Sequence, residues 1–194
     1  FQDPEAGAVM GRVIPHNAGT NWLTRLLNME RSGGYQADQQ ARYDLKTIPQ
    51  YGGTVGGFRK SLVMEEGGFD TRVLAEDTEL TYRLYTKGWK VIYANSAECY
   101  EEVPEEWHVR AKQIRRWSRG HNQVMFKYFF KVLFSKNMNF REKLDGLLLL
   151  IIYLVPFLFA LGLLDSMALF FLGEMNILTG WWVILFLGAY NNYG

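Results

Sequence analysis

The spacing of apolar residues changes character along the chain, and each change marks an element. Residues 8–14 (AVMGRVI) are apolar and partly β-branched with no helical period, which predicts an interior strand. Trp22, Leu23, Leu26, Leu27 and Met29 then recur at helical spacing, so a helix is expected after a cap at Thr20 or Asn21, interrupted at Gly33-Gly34. Residues 35–45 are polar and predict a further helix, stopped by Ile48-Pro49. Residues 51–59 (YGGTVGGFR) read as a Gly-rich strand that something approaches closely, followed by a short helix over 61–66. A marked helix start follows at Ala75, with Glu76, Asp77 and Glu79 in its first turn, where the helix dipole favours acids. Gly88 ends that helix. Strands are predicted over 89–94 and 97–100, and Pro104 opens a long helix.

Beyond residue 120 the pattern turns greasy. From Glu105 to Lys143 ten basic residues face three acidic ones, with Phe126, Tyr128, Phe129, Phe130 and Phe134 among them. A cationic, aromatic segment of this kind predicts an amphipathic stretch along a membrane surface. Residues 146–164 carry no charge, and 19 residues at about 1.5 Å each match a hydrocarbon core of about 30 Å. A second span is expected at about 169–190. Three segments result: an α/β domain over 1–120, an interfacial segment over 121–143, and a transmembrane region over 144–194.

Charge sharpens this division. All 21 Lys and Arg lie before residue 144, so the formal net charge of +1 conceals a mildly basic front and a greasy back whose only charges are Asp145, Asp165 and Glu174. Lys136, Arg141 and Lys143 precede the first span, and the positive-inside rule then puts the front domain in the cytosol of a cell-membrane protein. The adjoining spans select lipid headgroups over nucleic acid as the anion for the basic segment. A single cysteine, Cys99, leaves no internal disulfide. The chain opens on Phe-Gln-Asp-Pro-Glu without an initiating Met and reads as part of something longer.

Two groups carry candidate chemistry. Gln113, Arg116 and Trp117 are three and four residues apart, so a helix puts an amide, a guanidinium fork and an indole on one face. Such a fork matches phosphate oxygens, and an indole offers a stacking surface. Asp77 at a helix start is either an N-cap or, if it faces a cleft, a general base. His16, His108 and His121 lack metal-ligand spacing and take structural or surface roles.

The order of these features resembles a known family. The Tyr51-Gly52-Gly53-Thr54 stretch, the A-E-D-T-E-L helix start, the Q-I-R-R-W helix 36 residues after Asp77, and then membrane spans are similar to processive family 2 glycosyltransferases. These are the cellulose, hyaluronan and poly-N-acetylglucosamine synthases. The resemblance implies the second half of a GT-A type domain, an interfacial helix and one or two transmembrane helices. It implies an inverting transfer from a nucleotide diphosphate sugar, a UDP-sugar in most of the group, to a growing polysaccharide. Asp77, beside Glu76, would be the catalytic base; Arg116 would meet the diphosphate and Trp117 the acceptor, with Gln113 a further substrate-binding residue of the same motif. Tyr51, Gly53 and Thr54 would form the loop at the acceptor end. The family's D-x-D, which holds Mg²⁺ or Mn²⁺, does not occur in these 194 residues and is expected upstream, so the chain alone is expected to be inactive. Two rivals stand beside this reading: a non-processive transferase acting on a lipid carrier, and a membrane-anchored binding or regulatory domain without chemistry.

Overall fold

The computed structural model describes residues 2–65 and 67–173 of the chain. It divides into two compact units, Phe1–Leu150 and Ile151–Gly194.

The first unit is a mixed α/β domain built on a three-stranded sheet in the order β2-β1-β3. Strand β1 (Ala6–Pro15) lies in the middle, antiparallel to β2 (Gly56–Phe58) and parallel to β3 (Lys90–Glu101). This position explains its apolar run, since Ala6, Ala8, Met10 and Val13 are all buried. The two strands expected over 89–94 and 97–100 form one. The irregularity between them is a register shift opposite Gly11, where a Cβ would lie 2.2 Å from the Ala97 carbonyl oxygen.

Helix α1 (Trp22–Ser32) starts as expected at Asn21, with a capping box: Thr24 N–H donates to Asn21 Oδ1 and Asn21 N–H to Thr24 Oγ1, both at 3.0 Å. The glycine pair after it does not break the helix. Gly33 keeps a right-handed conformation, and the chain widens into a π-helix over Gly33–Gln39 before returning to α-helix in α2 (Gln40–Asp44). The expected strand over 51–59 shrinks to the three residues of β2. Tyr51 N–H donates to Thr81 Oγ1 instead of a strand partner, and Gly53 turns left-handed at φ +69°.

Helix α3 (Lys60–Glu65) leads to α4 (Glu76–Thr86), whose Leu80, Tyr82, Leu84 and Tyr85 are buried. Helix α5 (Trp107–Leu133) is continuous, so the expected boundary at 120/121 falls inside it.

Residues 146–164, expected as one span, are divided between the units. Gly146–Leu150 belong to α6 (Phe140–Leu150), which is bound into the first unit. Asp145 accepts from Ile48 N–H at 3.0 Å and pairs with Arg42, while Tyr82 Oη donates to the Gly146 carbonyl at 2.9 Å. The second unit begins with a 3₁₀ turn over Ile152–Leu154 and continues as α7 (Val155–Leu172). Pro156 causes the restart: without an amide hydrogen it cannot sit inside a helix but suits a first turn. Helix α7 is apolar apart from Asp165 and Ser166 and buries no side chain. By length and composition the 33-residue run Phe140–Leu172 could cross a membrane, the one such run among the described residues. Most of the second expected span lies outside the described residues.

Candidate active site

The site grows from the first turn of α4. Ala75 is the N-cap and no side chain caps the helix, so Asp77 sits inside the turn and is not the cap. Its Oδ1 accepts from Thr78 N–H at 2.6 Å. Burial raises the carboxyl above its ordinary pKa and the neighbouring charge of exposed Glu76 adds to this, against the bond from Thr78. A half-buried carboxylate that resists ionisation is closer to a proton acceptor at neutral pH than a solvated one.

The loop over 51–54 is laid against this carboxyl. A Cβ at Gly53 would lie 3.3 Å from both Cβ and Oδ2 of Asp77, and the left-handed backbone there already favours glycine. Thr81 fixes the arrangement by accepting from Tyr51 N–H at 2.9 Å while donating to the Asp77 carbonyl at 3.0 Å. Buried Tyr51 has its phenol pKa raised by burial and then by the charge of Asp77. Thr54 is exposed and turns its hydroxyl back onto the Gly52 carbonyl at 3.3 Å.

Helix α5 abuts the start of α4 at Gly120. A Cβ there would come within 2.7 Å of both the nitrogen and the Cβ of Ala75, so only glycine allows this approach. Gln123 completes the contact by accepting from Leu74 N–H at 3.0 Å. One turn before Gly120, Trp117 is half-buried between arginines: the guanidinium carbons of Arg31 and Arg110 lie 5.4 and 5.0 Å from its ring centre. Arg110 donates to Gln113 at 2.6 Å and to both oxygens of Glu30, and Arg31 to Glu101 at 2.7 Å. The structure thus joins Gln113 and Trp117 through Arg110, and Asp77 with Tyr51 and Gly53. Arg116 is exposed, with no hydrogen bond or ion pair among the described residues.

Three residues escaped the sequence reading. Tyr35, on the π-helix, brings its hydroxyl within 3.5 Å of where a Gly52 Cβ would stand. Burial pushes its phenol up to about 12, with Arg31 opposing and Glu101, Tyr93 and Asp77 adding. Arg31 and Arg110 were invisible because their importance lies in Trp117, far from Arg31 in sequence. His121 takes a structural role: its Nε2 lies 2.7 Å from the Leu149 carbonyl, so this nitrogen carries the proton and satisfies a carbonyl in the last turn of α6. Burial lowers its pKa.

No group of three or more His, Cys, Asp or Glu side chains among the described residues could hold a metal ion. The described residues therefore offer no donor set for a divalent cation.

The model of glycosyl transferase family group 2 matches residues 1–193. The chain belongs to this family. One relative, a probable glycosyltransferase (YdaM) of Bacillus subtilis strain 168, is 35% identical over 88% of this chain and 39% of its own length. Another, a probable glucomannan 4-beta-mannosyltransferase of Oryza sativa subsp. japonica, is 32% identical over 73% of this chain and 25% of its own. The chain of this family member therefore spans well under half the length of the curated relatives it matches. A solved mannosyltransferase from Pyrobaculum calidifontis, in complex with GDP-mannose and Mn²⁺, matches 98% of this chain and 53% of its own at 18% identity and a TM-score of 0.45. No residue correspondence follows from a likeness this distant.

Proposed function

We propose that this chain is the acceptor-side half of a GT-A type, membrane-bound, inverting glycosyltransferase that uses a nucleotide diphosphate sugar. The observation that carries the reading is the Asp77 carboxyl, raised in pKa, roofed by the Gly53 backbone, on a helix seated against the Gln113–Trp117 helix. Oδ1 is occupied by Thr78, which leaves Oδ2 to take the proton of an acceptor hydroxyl. The freed oxygen attacks the anomeric carbon and the bond to the diphosphate breaks, its electron pair leaving with the diphosphate. One displacement inverts the configuration. Arg116, exposed and without a carboxylate partner among the described residues, supplies charge for the departing diphosphate. Trp117 and Gln113 orient the acceptor. Membrane attachment rests on α7, whose apolar surface has no protein cover. The divalent cation of the complete enzyme, Mg²⁺ or Mn²⁺, would be held by residues outside this stretch.

The resemblance favours a growing polysaccharide as acceptor and a UDP-sugar as donor. The name of the Oryza relative, as a mannosyltransferase, adds a mannosyl donor. A second reading, one transfer to a lipid carrier, is favoured by Arg31 and Arg110, which already lie against the Trp117 ring that a polymer would use. The test is to supply the full-length protein in membranes with labelled UDP- and GDP-sugars and measure product length. Polymer supports the first reading and a single-sugar lipid product the second. Absence of any transfer, with an inert Asp77→Asn control, would sink both.

A further inference from the structure

A cavity of about 530 Å³ opens between the loop over 67–72, α4 and the C-terminal half of α5, and no residue assigned to the candidate active site lines it. Its volume is that of a small-ligand site. Two acids line it, and both are neutralised within the protein. Glu79, almost fully buried, accepts from Lys127 at 2.5 Å, from Tyr128 Oη at 2.7 Å and from Arg83 at 2.6 Å. Asp70 accepts from Arg72 Nε at 2.9 Å and Nη2 at 3.0 Å, and from Lys127 at 2.9 Å. Arg72 and Lys127 hold its carboxyl well below the usual carboxylate range. With Lys131 added, four cations, Arg72, Arg83, Lys127 and Lys131, face two ionised acids. Lys131 rests on the Tyr128 ring at 4.9 Å and has no carboxylate among the described residues. A wall with this surplus of donors favours an anion of phosphate chemistry.

The helix that supplies Lys127 and Lys131 also indicates where the phosphate comes from. Phe130 stands three residues after Lys127 and Phe134 three after Lys131, so each is a neighbour on the helix surface. Phe126, Phe130 and Phe134 are 81%, 66% and 74% exposed, and the last two rings stack 6.5 Å apart. A soluble phosphate has no use for such a ridge, whereas a phospholipid brings phosphate and hydrocarbon together. We propose that this cavity binds the phosphate of an anionic phospholipid, with the Phe126–Phe130–Phe134 ridge against its acyl chains. The proposal rests on the membrane-bound reading above and assigns to it a lipid class and a site.

The test uses full-length protein in nanodiscs of phosphatidylcholine with about a quarter phosphatidylglycerol, and measures lipid retained after detergent extraction by native mass spectrometry. The protein should retain phosphatidylglycerol in preference to phosphatidylcholine. Arg72→Glu/Lys131→Glu should lower that preference about thirtyfold or more, since each of the two cations near an anionic surface contributes on the order of 1 kcal/mol. Lys131→Gln should give a smaller loss, with unfolding temperature and sugar transfer unchanged as controls on the fold. Equal retention of the two lipids by the wild type, or undiminished preference in the double variant, overturns the proposal. Millimolar inorganic phosphate binding equally well without lipid overturns the lipid source. Release of the protein from native membranes by alkaline carbonate is a different failure, that of the membrane-bound reading itself.

Discussion

As the proposed base, Asp77 would have conflicting demands on it. A base must be ionised, yet burial makes ionisation costly, and the result is a raised pKa. Turnover in the full-length protein should therefore fall on the acid side as pH drops through a value above the ordinary carboxylate figure of about 3.9. Asp77→Asn should remove that limb and cut turnover by about 10²–10⁴-fold with nucleotide binding retained; near-normal turnover in the variant ends the assignment. Linkage gives a second sign. A carboxyl whose folded pKa lies above its unfolded one costs nothing below the unfolded value, and the cost grows as pH rises through the folded pKa. The same variant should thus melt at or above the wild-type temperature at pH 7, where a merely structural carboxylate would lower it. Trp117 and Arg116 separate differently. Trp117→Ala removes a stacking surface worth about 1–3 kcal/mol, a figure taken from bases on aromatics, and should shorten or abolish polymer with nucleotide affinity kept. Arg116→Ala should weaken nucleotide binding, because a charge-assisted contact is lost. Product length and nucleotide affinity on both variants decide it, and full-length polymer from Trp117→Ala removes the processive reading.

Between elements, the site depends on how closely α4 and α5 approach. Gly120 permits the contact at the top of α4, and the buried Glu79 knot ties the two helices further along. Gly120→Val must push Ala75 away and should cost about 1–3 kcal/mol, lowering turnover more than nucleotide affinity. Glu79→Ala leaves Lys127 and Arg83 facing each other without their shared acid and should cost about 3–5 kcal/mol, read from denaturant unfolding. Burial raises the Glu79 pKa, but the bonds from Lys127 and Tyr128 and the charge of Arg83 outweigh it and leave the carboxyl depressed. That stability is present above the unfolded pKa and lost as pH falls through the folded one. Much of this scale was legible in the sequence: interior β1, the Asn21 cap and the acid-rich start of α4 all announce themselves by local pattern or capping chemistry. What stayed hidden depends on distant partners. The π-helix survives Gly33-Gly34 with the Tyr35 carbonyl bonded by Tyr93, 58 residues away. Tyr51 leaves its expected strand for a hydroxyl 30 residues on. The candidate site was legible as residue types in order, but the arginines at Trp117 belong to contacts that no local pattern encodes.

At the scale of the whole molecule, no Lys or Arg follows residue 143 and only three acids do, and α6 stands at that change. Its charged first turn is bound to the domain by Glu142, which pairs with Lys90 at 2.5 Å, and its last turns by Tyr82 and His121. Helix α7 in the second unit has nothing but apolar side chains to offer over most of its length. On the proposed membrane-bound reading, α7 would take the hydrocarbon environment and the basic first unit the aqueous one. Moving Lys136, Arg141 and Lys143 across a bilayer would cost several kcal/mol, since translocon scales assign about 2.5–3.5 kcal/mol to each such residue at a helix centre. On the proposed membrane-bound reading, the orientation with least cost would keep these residues, and with them the first unit, in the cytosol. A single cysteine placed at Ser135, in a Cys99→Ser background, should stay unlabelled by a membrane-impermeant maleimide in intact cells. It should react once the cells are permeabilised. Ready labelling from outside would invert the topology and leave Asp77 on the side of the membrane that holds no nucleotide sugar.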